Sequence, residues 1–228
     1  MSQTSYALET SAAFAGMLAD LSEHTIRSYR NDDAVQIPFG LAVAQATKDD
    51  GMKLPAASGD VQKLVGITHN TPARNNIGET SGALVGEMVG VVSDGPIWVT
   101  VEEAVTPADA PYVRFALGAT SGKDQPGSIR KSADTLVAWA GSTAYTVGQR
   151  AVNSSKVYEC ITAGTSASSG GPTTTASDIT DGTAHWKYVG AGAAGATAAQ
   201  CKGARFLTSA AAGGLAQLEF DAISARLA

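Results

Sequence analysis

A chain of 228 residues with 44% hydrophobic content can bury a core of its own and has room for one domain, or one domain carrying a smaller insertion, but not for three. Its 25 glycines and its low share of charged residues, 16%, suit many short strands and turns better than a helix bundle. A net charge of −5 leaves no basic stripe to displace counterions from a phosphate backbone, which argues against a nucleic-acid partner.

The amino end, "MSQTSYALETSAAFAGMLADL", has neither the basic leader nor the continuous apolar run of a secretory signal. Nowhere do about eighteen apolar residues follow one another as a membrane span requires. A protein made in the cytoplasm, without a membrane partner, is expected. Within that end Phe14, Met17, Leu18 and Leu21 share helical spacing, so a short helix is predicted there, weakened by Gly16. "AVQIPFGLAVAQAT" then reads as an extended segment interrupted at Pro38, and Asp49-Asp50-Gly51 as a turn before "MKLP".

The strongest hairpin pattern is "GEMVGVVSDGPIWVTVEEAV". Asp94-Gly95-Pro96 supplies the turn, and Ile97, Val99 and Val101 alternate with Trp98, Thr100 and Glu102, sending one face to a core and the other to solvent or a partner. In "PYVRFALGA", Val113, Phe115 and Leu117 share a face, which predicts a half-buried antiparallel strand. The final "GARFLTSAAAGGLAQLEFDAISARLA" divides at Gly213-Gly214 into two strand-like runs with Leu218 and Phe220 on one side. A C-terminal strand of this kind returns to a sheet begun much earlier. The expected fold class is all-β: a β-barrel or jelly-roll-like scaffold of residues 1–137 and 197–228, interrupted by a small β-module over 138–190 and an Ala/Gly linker over 191–196.

Signatures of chemistry are weak. "GAGAAG" at 190–195 fits GxGxxG, but the apolar helix, second parallel strand and acidic residue of a dinucleotide fold do not follow, so a linker is the better reading. "GATSGKD" at 118–124 fails the P-loop pattern at Leu117 and Asp124 and reads as a turn. His24, His69 and His185 are scattered without metal-ligand spacing. The carboxylate pairs Asp32-Asp33, Asp49-Asp50 and Glu102-Glu103 are adjacent, point to opposite faces of an extended chain and read as solvated turns and rims. Cys160 and Cys201 form no zinc pattern; they read as reduced, partly buried thiols, with a bridge between them as the other reading. No catalytic residue, metal or cofactor is expected.

The run "GMLADLSEHTIRSYRNDDAVQIPFGLAV", then "MKLP", "LVGITHN", "GEMVGVVSDGPIWVTVEEAV" and "GARFLTSAAAGGLAQLEF", resembles the structural cement, or capsid decoration, proteins of tailed bacteriophages. The likeness covers most of the chain outside 138–190. It is carried by spacing and small residues: Gly16, Ala19-Asp20, Ser28-Tyr29, Pro38-Phe39-Gly40, Gly66-Ile67, the Gly95 to Val101 strand and Gly203-Ala204-Arg205-Phe206. The resemblance implies a non-enzymatic protein on the outer surface of an icosahedral head, which bridges major capsid subunits and stabilises the expanded shell. Closed symmetric assembly is the default for a protein repeated over a lattice, so a homo-oligomer, dimer or trimer, is expected.

The interrupting segment looks like the small chitin- and carbohydrate-binding β-modules, in Trp139, Tyr145, Gly148, Val157-Tyr158 and Trp186. It holds two of the chain's three tryptophans and three of its six tyrosines. Aromatic rings grip sugar faces through apolar contacts, so Trp139, Tyr145 and Trp186 are the candidate glycan-binding residues, with a host-surface or environmental polysaccharide as ligand. A module this small also needs aromatics for its own core, a role that Tyr158 and Trp186 fit. The stretch "ITAGTSASSG" moreover stands where the carbohydrate-binding relatives carry an exposed tryptophan pair.

Overall fold

The computed structural model describes residues 13–20, 22–70 and 82–222. The first elements are Thr25–Asn31 (β1), Ile37–Pro38 (β2), Ala42–Gln45 (β3), Gly51–Lys53 (β4), a helical turn Ser58–Val61 (α1), Leu64–Thr68 (β5), Gly82–Ala83 (β6) and Met88–Thr100 (β7). Strands β1, β4, β3, β5 and β7 are neighbours in that order and β1 also pairs with β7, which closes a five-stranded barrel. Tyr29, Val43, Met52, Val65, Val89 and Val91, drawn from all of these strands, form one buried cluster and mark the barrel interior. Ala42, Ala44, Leu64, Ile67 and Val92 belong to a second cluster on the outer face. Burial on both faces explains why "LVGIT" is an unbroken apolar run instead of an alternating one. It also explains Gly66: at φ +152, a Cβ there would fall on the Val92 carbonyl oxygen of β7.

Tyr112–Arg114 (β8) and Ile129–Arg130 (β9) follow, and then the chain builds Thr135–Ala138 (β10), Ala144–Tyr145 (β11), Arg150–Asn153 (β12), Lys156–Thr162 (β13), Gly164–Thr165 (β14), Ile179–Asp181 (β15), Ala184–Ala191 (β16) and Gly195–Ala196 (β17). A six-stranded sheet takes the order β15-β16-β13-β12-β10-β17, with β11 and β14 paired beside it. The sheet begins at Thr135, and residues 191–196, expected as a linker, contribute the end of β16 and all of β17. Ala198–Gln200 (β18) then pairs with β8, and Ala204–Phe206 (β19) with Leu215–Asp221 (β20).

Strand β20 returns to β7, from Leu215 opposite Thr100 to Asp221 opposite Asp94, as its alternation led us to expect. Leu218 and Phe220 join Ile97, Val99, Val101 and Phe206 in the outer-face cluster, against Val113 and Ile129 of the β8–β9 layer.

Two local expectations fail. Asp94-Gly95-Pro96 is not a hairpin turn, because β7 runs through it as one strand of 13 residues. Up to Asp94 the strand pairs with β1 and β5; from Asp94 onward it pairs with β20. Gly95, at φ +111, supplies the bend, and a Cβ there would meet the His24 Cβ at 2.7 Å. Pro96 is tolerated because its carbonyl, and with it the missing N–H, faces the short segment 16–19, whose Ala19 amide donates to Pro96 O at 3.0 Å. Nor does the predicted helix form: the Gly16 amide donates to Trp98 O and the Trp98 amide to Met17 O, each at 2.8 Å, and Leu18 bridges to Ile97. Cross-strand partners on β7 have displaced the helical ladder; Leu21 lies outside the described residues.

Candidate functional site

The polar face of β8 was expected to meet solvent, yet Arg114 is fully buried. Its Nε donates to Glu102 Oε1 at 2.7 Å, its Nη2 to Glu102 Oε2 at 2.7 Å and Asp134 Oδ2 at 2.8 Å, and its Nη1 to Thr197 Oγ1 at 2.9 Å and the Ala116 carbonyl at 3.3 Å. All five guanidinium donors therefore have an acceptor, the condition under which a buried cation is tolerated. Arg130 adds Nη1 contacts to Glu102 at 2.9 Å and Asp134 at 3.0 Å, and Glu103 accepts from Ser132. Glu102-Glu103, expected at a solvated rim, thus form one side of an ionic cluster. Burial by itself would raise the Asp134 carboxyl, but the Arg114 hydrogen bond, the Arg130 charge and the Ala119 amide outweigh it and hold the group below the usual range.

Asp134 immediately precedes β10, and Thr197 immediately follows β17. They are the points where the chain enters and leaves the six-stranded sheet, and they bond to each other: the Thr197 amide donates to Asp134 O at 2.8 Å and its hydroxyl to the same oxygen at 2.9 Å. Asp134 adopts φ +47 to make this turn.

A second joint lies alongside. Residues 117–124 run against the start of β12, where the Arg150 amide donates to Ala119 O at 3.0 Å and the Ser121 amide to Gly148 O at 2.9 Å. The Arg150 guanidinium donates to the Asp124 carboxylate and, at 2.8 Å, to Glu159 Oε2, while Lys187 Nζ lies 2.9 Å from Glu159 Oε1. Burial would raise Glu159, but Lys187 and Arg150 pull it below the ordinary range. Leu117, expected on the same face as Val113, instead packs with Leu136, Val152 and Val157 of the sheet.

The aromatic candidates come together, and most of their surface is inside. Trp186 is fully buried and Tyr145 nearly so, with ring centroids 4.7 Å apart in an edge-to-face pair. Trp139 packs against this cluster with Tyr188 and Ile179. Asp181, missed in the sequence, holds both indoles: its Oδ2 accepts from Trp139 Nε1 at 2.8 Å and Trp186 Nε1 at 3.2 Å, and its Oδ1 accepts the Ala167 amide at 2.9 Å. Cys160 belongs to this cluster and Cys201 to the outer-face cluster of the barrel; both are free. Burial pushes the Cys201 thiol up to about 12.

Four of the large apolar side chains that face solvent lie at one end of the barrel, while Ile26 on β1, Val137 on β10 and Val147 just after β11 are exposed elsewhere. Val35, Leu84, Val85 and Met88 are each more than half exposed. Buried Asn31 ties their backbones together: its Nδ2 donates to Val35 O at 2.9 Å and Ala83 O at 3.0 Å, its carbonyl accepts the Gly86 amide, and neighbouring Arg30 pairs with Met88. Among the described residues no group of three or more His, Cys, Asp or Glu is placed to hold a metal ion.

The molecule is thus an all-β barrel protein with buried ionic joints between its sheets and a group of exposed apolar side chains at one end of the barrel. The chain belongs to the phage structural cement proteins: the family model described as structural cement protein (E217 gp24/Pam3 gp6) matches residues 2–221. Membership implies a structural role in association with the capsid shell, hence a virion protein and a non-enzymatic one. A chain of the solved structure of the capsid of Myoviridae phage XM1 is similar over 96% of both chains, at 14% identity and a TM-score of 0.49. No curated protein matches the sequence.

Proposed function

We infer that this protein binds the outer surface of a phage head, bridges major capsid subunits and stabilises the expanded shell as a dimer or trimer after synthesis in the host cytoplasm. The observation that carries the reading is the family match across residues 2–221. The apolar tip of Val35, Leu84, Val85 and Met88 is the surface we assign to the shell, since four exposed apolar side chains held near one another by Asn31 are the kind of surface that partners cover. Residues 138–190, inserted in the scaffold of 1–137 and 197–228, are displayed away from it.

The test is to purify heads made with and without the protein. Co-purification, a map placing the chain outside the shell across adjacent subunits, and genome release at lower temperature from heads lacking it are expected. Its absence from purified heads, or a position inside the shell, would overturn the reading. Polysaccharide adhesion through Trp139, Tyr145 and Trp186 is the alternative. With two of these rings buried, the full-length protein is expected to pass through chitin and mucin columns, and retention that Trp139→Ala abolishes would favour adhesion.

A further inference from the structure

We propose that Arg114 and Arg150 lock the six-stranded sheet onto the barrel in one orientation, so that the two move as a single body. Among the described residues the chain crosses between them at two places, just before Thr135 and just after Ala196. Because Asp134 and Thr197 are bonded to each other, those crossings lie side by side and, left alone, would form a hinge with one axis.

Arg114 removes the first freedom. It is anchored on β8 and binds Asp134 and Thr197 together, so neither crossing moves without leaving a buried guanidinium short of acceptors. Arg150 removes the second. Segment 117–124 starts at the hinge, where the Ala119 amide donates to Asp134 Oδ2 at 3.2 Å, and runs outward to Gly148 and Arg150. The Arg150 hydrogen bond to Asp124 Oδ2 at 3.1 Å and the packing of Leu117 on Val152 and Val157 tie this segment to β12 and β13, apart from the two crossings, and fix the angle between sheet and barrel. A cluster serving stability alone would not need to join both crossings and a separate strap to β12. The proposal concerns the molecule itself and holds whether or not the shell is its partner.

The test uses the full chain with exposed Ser28 on β1 and Ser169 beyond β14 changed to cysteine and spin-labelled under native conditions, in which buried Cys160 and Cys201 stay unlabelled. Pulsed dipolar spectroscopy is expected to give one narrow distance peak for the parent, and loss of that peak to a broad distribution for Arg114→Met combined with Arg150→Met. A broad distribution in the parent overturns the proposal, and so does an unchanged narrow peak in the folded double variant. Should the double variant not fold, Thr197→Val with Asp124→Asn, which takes one partner from each arginine, carries the same two outcomes.

Discussion

The barrel and the six-stranded sheet solve the same problem with different residues. The barrel buries aliphatic side chains on both sides of its strands, in an inner cluster around Val43 and Val65 and an outer one around Ile97 and Leu218. The sheet also has two apolar clusters, but both are small: an aliphatic one of Leu136, Val152 and Val157, and an aromatic one that concentrates burial in Tyr145, Tyr158, Cys160 and Trp186, with the charged groups of Arg150 and Glu159 buried beside them. A small unit gains most per residue from large rings, and it must then satisfy every polar atom that those rings bring inside. Asp181 does so for both indoles.

The contrast breaks most sharply at Trp186. Trp186→Ala removes the largest fully buried side chain and leaves Asp181 with one indole, a loss of about 3–5 kcal/mol for a core aromatic truncation. The expected outcome is a split thermal transition, the lower step reporting residues 135–196 through near-UV dichroism and protease sensitivity in that range while the barrel melts as before. A single transition lowered as a whole would show that sheet and barrel share one cooperative core.

A smaller effect is expected at the joint, and it depends on pH. Asp134 has a depressed pKa in the folded protein, so its contribution is fully present above the ordinary carboxylate value of about 4 and is lost as pH falls through the lowered one. Glu103 and Glu159 are shifted in the same direction and lose their contributions in the same way. Melting temperature is therefore expected to decline on acidification below about pH 4. In Asp134→Asn it should start lower by the equivalent of about 1–3 kcal/mol, the cost of an unsatisfied charged partner, and fall less steeply. Parallel curves for parent and variant would show that Asp134 is not among the groups that titrate.

The barrel was more legible than the joint. Alternation over Ile97, Val99 and Val101, and over Leu218 and Phe220, is a local pattern that survives folding because the outer layer covers the same face throughout. The bend at Gly95 was misread because Asp-Gly-Pro carries the same positive-φ and missing-donor signature in a turn and in a strand that changes partners. Arg114 was missed for a different reason. Nothing local distinguishes a charged residue facing water from one facing Glu102, Asp134 and Thr197, since these partners come from separate stretches of chain. The available signal was weak: an arginine inside an apolar strand, and two glutamates directly after one. For Trp139, Tyr145 and Trp186, sequence gave the company they keep but not which way the rings face.

The smallest expected change in stability belongs to the tip, and there the two regions should part company in function. Val85 lies in an exposed turn closed by the Leu84 and Glu87 backbones, and its side chain makes no part of either barrel cluster. Val85→Asp should therefore alter stability by no more than about 0.5 kcal/mol, as for surface substitutions generally. It puts a charge at the centre of the apolar group formed with Val35, Leu84 and Met88, and desolvating that charge at an interface has no compensation unless the partner offers a cation. Loss of head binding at unchanged melting temperature is the expected result, measured by sedimentation with heads lacking the protein. Val137→Asp, an equally simple exposed substitution on the six-stranded sheet, is expected to leave head binding intact. If Val137→Asp is the variant that releases the protein, the sheet faces the shell and the apolar tip faces outward.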